Sequence, residues 1–162
     1  MSDITYTNVA TELRNVQGLV TGPGDAGTLK LLGSATIELA ASTANDTVKF
    51  CRIPASARIS SISLVSWDDL ASTGAPTLDM GLGTVDGNIT SDPVALSNGH
   101  DVTAAGSAAI VGDIANYNKK AWELVSGQST DPSGFLDVYG TVVDAATNIA
   151  ATVTVEVYGY LD

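Results

Sequence analysis

The stretch ATVTVEVYGYLD, at the end of the sequence, constrains the fold of this chain more than any other. Val153, Val155, Val157 and Leu161 fall on one parity, and Thr152, Thr154, Glu156, Tyr158 and Tyr160 on the other. Successive side chains of a strand point to opposite faces, so period two predicts a strand with one buried face. TLDMGLG repeats the signal with Leu78, Met80 and Leu82 inward and Asp79 outward, and SATIELA does so with Ala35, Ile37 and Leu39. In FLDVYGTVV, Leu136, Val138 and Val142 share one face while Phe135, Tyr139 and Val143 share the other. Both faces are partly apolar, which predicts a strand central in a sheet or at a subunit contact.

The runs are separated by STANDT, STGAP, TVDGN, SGQSTDPSG and VDAATN, clusters of the residues that make turns. Short strands spaced this way, without long helical patterns between them, predict an all-β fold, a β-sandwich. Jelly-roll topology is the preferred version. SDPVALS carries the cues of one helical turn, with Ser91 or Asp92 as cap and Pro93 at the first position. DVTAAGSAAIVGDI is ambiguous, its glycines arguing against a stable helix.

The first 33 residues differ from the rest. Leu13, Val16 and Val20 support at most a short helix, and GLVTGPGDAG then breaks any pattern. Too few apolar residues are present for an independent core. The expected organisation is an extended N-terminal arm, residues 1–33, and a sandwich domain, residues 34–162. The 162-residue chain carries 7 basic against 18 acidic residues, a formal net charge of -11. That balance disfavours nucleic acid and anionic membrane surfaces, because few phosphates can be neutralised. No apolar run approaches the roughly 20 residues of a membrane span. The opening MSDITYTNVATELRNVQG shows no basic region followed by an apolar one, which gives the expectation of synthesis in a reducing cytoplasm.

TVKFCRIPASARISSISLVSWDDL gathers two arginines, the single cysteine and a tryptophan. Thr47–Ile53 reads as a strand with Val48 and Phe50 on one face and Cys51 on the opposite one. Pro54 ends it, Ala55-Ser56-Ala57 makes a tight connection, and Arg58–Trp67 reads as the return strand. Its parity slips between Ile59 and Ile62, which predicts a bulge at Ser60-Ser61 or burial on both faces. The crowding is therefore a strand, a corner and a strand.

Catalytic chemistry finds little support. Cys51 would need a base beside it, and His100, the single histidine, sits in the loop-like SNGHDV. One His and one Cys cannot assemble a four-ligand zinc site within one chain. GPGDAG matches the glycine pattern of a dinucleotide loop, but Gly33 ends the following segment within two turns, so the cofactor reading fails. Asp68-Asp69 and Asp86-Gly87-Asn88 read as turn chemistry rather than as calcium loops. Trp67, Trp122, Tyr117 and the C-terminal tyrosines could stack on sugars, although Trp122 in KKAWELV is expected to anchor the core with Leu124. The expectation is a protein without catalytic residues, cofactor or metal.

The order of features resembles a known group. A loose acidic arm is followed by SATIELAASTANDTVKFCRIPASARI, by an aspartate-containing loop after GLGT, and by AWELVSGQSTDPSGFLDVYGTVVDAATNIAATVTVEVYGYL. Over roughly Ser34 to Leu161 this resembles the small β-rich virion structural proteins of tailed bacteriophages, most of all head decoration (cement) proteins. The R-I-P-A-S-A-R corner, the W-E-L strand, the D-P-S-G turn and the terminal valine strand carry the likeness. The resemblance implies a protein on the outer surface of the capsid that bridges neighbouring subunits of the major capsid protein. It implies a homo-oligomer, with a trimer favoured, and no nucleic acid or membrane partner. Tyr6, Leu13, Arg14 and Val16 of the arm, with Tyr139, Tyr158 and Tyr160, are the candidate contact residues. A phage tail or fibre module binding host-surface glycans is the alternative.

Overall fold

The computed structural model describes residues 28–71, 73–84 and 89–161. They form two antiparallel sheets with almost no helix. The first, sheet I, has the order β1 (Lys30–Leu39), β9 (Ala151–Tyr160), β4 (Leu64–Trp67), β7 (Gly106–Ala109), and β3 (Arg58–Ile59) also pairs with β9. Sheet II has the order β2 (Thr47–Pro54), β8 (Phe135–Val143), β5 (Thr77–Thr84), β6 (Asp92–Asp101). The inward side chains of both sheets form one buried cluster. Val153, Val155, Val157, Leu78, Met80 and Leu82 are fully buried in it, as their alternation predicts. β8 lies centrally between β2 and β5, which explains its two apolar faces. Strand β1 starts at Lys30, so residues 30–33 of the expected arm pair in sheet I, while residues 1–27 lie outside the described residues.

Five local expectations are corrected. The segment read as one return strand is divided into β3 and β4, with the turn Ser60–Ser63 between them. Both pieces still pair with β9, and the missing ladder contacts are made by the turn itself. Ser60 N donates to Tyr158 O at 2.8 Å. Ser63 Oγ donates to the same carbonyl at 2.9 Å and accepts from Tyr158 N at 2.9 Å. A side-chain hydroxyl thus takes the place of a backbone pair inside a sheet, which keeps the buried polar groups satisfied.

Cys51 does not face away from Phe50. A register shift between Lys49 and Cys51 against β8 leaves Phe50 as the extra residue of a bulge, and Phe50 and Cys51 are both buried. The Cys51 thiol fills the space that a Cβ on Gly33 would need.

SDPVALS is not a helical turn but the start of β6, and SNGHDV, read as loop-like, places His100 within the end of the same strand. The helix cues of SDPVALS are overridden by tertiary pairing with β5. Gly81 makes the pairing possible, because any side chain on it would collide with Asp92 O and the backbone of Pro93. AWEL is not a strand but a 3-10 turn, Ala121–Leu124. Glu123 Oε2 reaches back to accept from Lys120 N at 2.8 Å, satisfying a donor at the start of the turn. Leu124 is buried and Trp122 packs half-buried against the core. The ambiguous DVTAAGSAAIVGDI supplies β7.

The hydroxyl repair at Ser63 has a measurable cost of removal. Ser63→Ala strands the buried Tyr158 N–H without its partner, a loss of about 1–3 kcal/mol. Urea denaturation should show a lower midpoint for Ser63→Ala, while Ser61→Ala, at an exposed position of the same turn, stays at the wild-type midpoint. Equal midpoints for the two variants would contradict this role.

Candidate functional site

The alternation of β9 sends Tyr158 and Tyr160 to the outer face of sheet I, where both are half-buried. Register adds their neighbours. Tyr158 faces Leu31 of β1, Tyr160 faces Arg58 of β3, and Arg58 in turn bridges to Lys120. Leu29, Leu31, Ile62 and Leu64 are exposed around them, Ile62 to 55%. Arg58 Nη1 donates to Asn118 O at 2.9 Å, which ties the 118–120 segment to β3. Tyr158 Oη donates to Glu156 Oε2 at 3.3 Å, and the Glu156 carboxylate holds this phenol above the ordinary tyrosine pKa. Toward the start of β9 the same face turns to hydroxyls, with Thr36 and Thr154 bonded at 2.9 Å. The face is thus mixed aromatic, apolar and cationic at one end and hydroxyl-lined at the other.

Tyr139 is not part of this surface. It lies on β8 of sheet II, pointing away from the core, yet is only 8% exposed. Its ring packs over Gly83, and burial, with the Asp92 charge adding, raises its pKa. Tyr6, Leu13, Arg14 and Val16 lie outside the described residues.

The outward side of β8 holds a charge group that the sequence reading missed. Asp137 is 4% exposed and accepts from Lys49 Nζ at 2.6 Å and from Arg52 Nε at 2.9 Å. A carboxylate inside an apolar run demands a cation, because burying it alone is costly. That demand was the available signal. The bulge at Phe50 is what lets Lys49 and Arg52 both reach one carboxylate across the β2–β8 pair. Segment Ser91–Pro93 then lies on Gly81 and Gly83, closing this face further.

The remaining reactive groups stay apart. Cys51 and His100 sit on the two edge strands of sheet II, β2 and β6. Three strand spacings, about 14 Å, separate them across the sheet, and His100 is level with Val142 of β8 where Cys51 is level with Val138, a further offset along the strands. His100 Nε2 and Ser97 Oγ are 2.7 Å apart, and the imidazole lies against Trp67 at a tilt of 39° with ring centroids at 5.5 Å. Asp79 is near enough to act on His100 electrostatically. Its Oδ1, however, accepts from Gly99 N at 2.7 Å, and its parity is opposite to the inward Leu78 and Met80. Ser97 is buried. The pair therefore joins β6 to Trp67 of sheet I rather than opening on a substrate.

Trp67 donates to Ala104 O at 3.0 Å and is buried, while Trp122 and Tyr117 pack against the core, so these three rings form no exposed stacking platform. A groove of about 410 Å³ between the sheet ends is lined by Leu39, Ser42, Asn45, Asp46, Thr47, Val48 and Val142. Its carboxylate, Asp46, accepts from Thr43 N and so serves the turn. Among the described residues no three His, Cys, Asp or Glu side chains are grouped so as to hold a metal ion. Asp69 Oδ1 accepts from Ala71 N, as turn chemistry predicts, and Asp86–Asn88 lie outside the described residues.

No protein-family model and no curated protein sequence matches the chain. Among solved structures it is similar to a chain of the structure titled "Cyanophage Pam1 capsid asymmetric unit". The TM-score is 0.56 at 17% sequence identity, over 88% of this chain and 91% of that one. At that identity the likeness is one of fold.

Two outcomes follow from the buried polar groups. His100 has its pKa lowered from 6.5, mainly by burial, with the Asp79 charge opposing. A lowered folded-state pKa makes the neutral form the stabilising one. Its contribution is complete above about pH 6.5 and is lost as pH falls through the lower folded value. Chemical denaturation should therefore show stability dropping below pH 6.5, with a smaller drop for His100→Gln; an unchanged drop would contradict it.

Around Asp137 the costs should be unequal. Asp137→Asn leaves Lys49 and Arg52 able to turn to water, since their side chains are 40% and 21% exposed. Removing both cations leaves a buried carboxylate with no counter-charge. The double variant Lys49→Ala/Arg52→Ala should lose about 3–5 kcal/mol and Asp137→Asn about 1–3 kcal/mol by urea denaturation. The reverse order would contradict the account.

Proposed function

We propose that this protein is a phage capsid decoration, or cement, protein that binds the outer surface of the head and stabilises it by bridging neighbouring subunits of the major capsid protein. The observation that carries the reading is the likeness in fold, over nearly the whole of both chains, to a chain from a cyanophage capsid asymmetric unit. It agrees with the family resemblance in the sequence. The strand orders support a jelly-roll sandwich. The chain passes between the sheets at every connection except β3–β4 and β5–β6.

A role of this kind needs surface rather than chemistry, and the scattered Cys51, His100 and Asp137 support a protein that is not an enzyme. Weak contacts repeated over a symmetric lattice sum to strong attachment. In this reading the protein forms a homo-oligomer, a trimer matching threefold lattice positions, and does not bind nucleic acid. The segment before β1, with Tyr6, Leu13, Arg14 and Val16, acts as a tether.

The test is reconstitution. Added to heads that lack it, the protein should co-sediment with them to a saturating stoichiometry and raise the temperature at which packaged DNA is released. Deletion of residues 1–20 should leave its melting temperature nearly unchanged and sharply reduce sedimentation with heads. Failure of the full chain to bind, or binding with no gain in head stability, would refute the cement role.

A further inference from the structure

Charge is distributed along the strand axis of this molecule. At the end where β9 begins, loops 40–46, 68–76, 101–105 and 144–150 carry Asp46, Asp68, Asp69, Asp101 and Asp144 and no lysine or arginine. All five are exposed. Pairing places them together at that end. Asp68 N donates to Thr152 O, Val142 N donates to Asp46 O, Thr77 faces Asp101, and Thr77 Oγ1 donates to Asp144.

At the other end lie Lys30, which is buried, and Arg58, Lys119 and Lys120, four of the six basic residues in the described part of the chain, interspersed with the exposed carboxylates Asp113, Glu123 and Asp131. Lys49 and Arg52 are turned to Asp137. Residues opposite one another in an antiparallel pair project to the same face. Lys120, Arg58 and Tyr160 therefore form one row on the outer face of sheet I, with Leu31 and Tyr158 forming the next and Ile62 beside them. Arginine and tyrosine around an apolar centre is the composition of an interface hot spot. From Thr152 to Tyr160 a strand rises about 26 Å, well beyond the screening length of about 8 Å at physiological salt. The two ends of one molecule are thus too far apart to serve each other.

We propose that the Arg58–Lys120–Tyr160 face of one copy seats the aspartate-rich end of a second copy. The second copy is the occupant because its surface supplies the complementary charge, five exposed aspartates without an intervening cation. Such a contact is heterologous: two different patches meet, so successive copies add head to tail until the rotation closes a ring. The inference deepens the proposed function by naming the surfaces that self-associate, and it rests on that reading only for the assembly being a homo-oligomer.

Sedimentation velocity of the full chain, free of heads, tests it. The wild type should associate, and raising salt from low to high should weaken it about tenfold or more. Arg58→Glu/Lys120→Glu and, separately, Asp68→Lys/Asp69→Lys should each weaken association about tenfold or more. Mixed in equal amounts the two variants should associate again, since each retains the wild-type patch that the other lacks. Circular dichroism melting checks that each variant is folded. Should Arg58→Glu disturb β3, Lys119→Glu/Lys120→Glu makes the same reversal outside it. A monomeric wild type, association indifferent to either reversal, or two weakened variants that do not recover on mixing would each overturn the proposal. Co-sedimentation with heads is read separately, so the decoration role can survive the loss of this interface, and the interface the loss of that role.

Discussion

The pairing of β9 holds the rest of the structure in place. This one strand meets β1 on one side and β3 and β4 on the other. Its valines Val153, Val155 and Val157 are fully buried, each contributing about 1.5–3 kcal/mol of apolar burial. Its alternate residues, Thr152, Thr154, Glu156, Tyr158 and Tyr160, form the spine of the outer face. A slip of one residue would exchange the two sets, so core and surface are specified by one register. The hydroxyl of Ser63 protects that register where β3 and β4 part, by completing the ladder at Tyr158.

The two sheets use their outer faces differently. On sheet II, the outward side of β8 is closed by the chain's own groups: Asp137 under Lys49 and Arg52, Tyr139 over Gly83, and the Ser91–Pro93 segment on β5. Sheet I leaves tyrosines, Leu31, Ile62 and Leu64 at its outer surface. That asymmetry is the physical reason for assigning recognition to sheet I. The interior carries the complementary message, since His100, Ser97 and Trp67 fasten the edge of one sheet to the other and Cys51 packs against Gly33.

Strands with a single buried face were legible. β9 follows period two because one side meets the core, as does β5 up to Met80, before Ser91–Pro93 covers its outward glycines, and the outward placement of Tyr158 and Tyr160 follows from the same count. The centrality of β8 was legible from its two apolar faces. Features set by long-range contacts were not. The bulge that buries both Phe50 and Cys51 leaves no mark in the residue types, and β6 hides behind a local Ser-Asp-Pro cue that Gly81 overrides from another strand. Tyr139 shares the parity of outward residues, but its ring lies over Gly83 of a neighbouring strand and is buried there. The row Lys120–Arg58–Tyr160 joins residues far apart in sequence, and only pairing across β3 brings them onto one face.

The central proposal is that this protein docks through the outer face of sheet I. Hydroxyl-radical footprinting read by mass spectrometry, on the protein dispersed to single copies at high salt and on assembled heads, tests it most directly. The account predicts that Tyr158, Tyr160 and Ile62 lose much of their reactivity on assembly while exposed Val94, on β6 of sheet II, keeps its own. Undiminished reactivity at all three sheet I positions on fully decorated heads would contradict it.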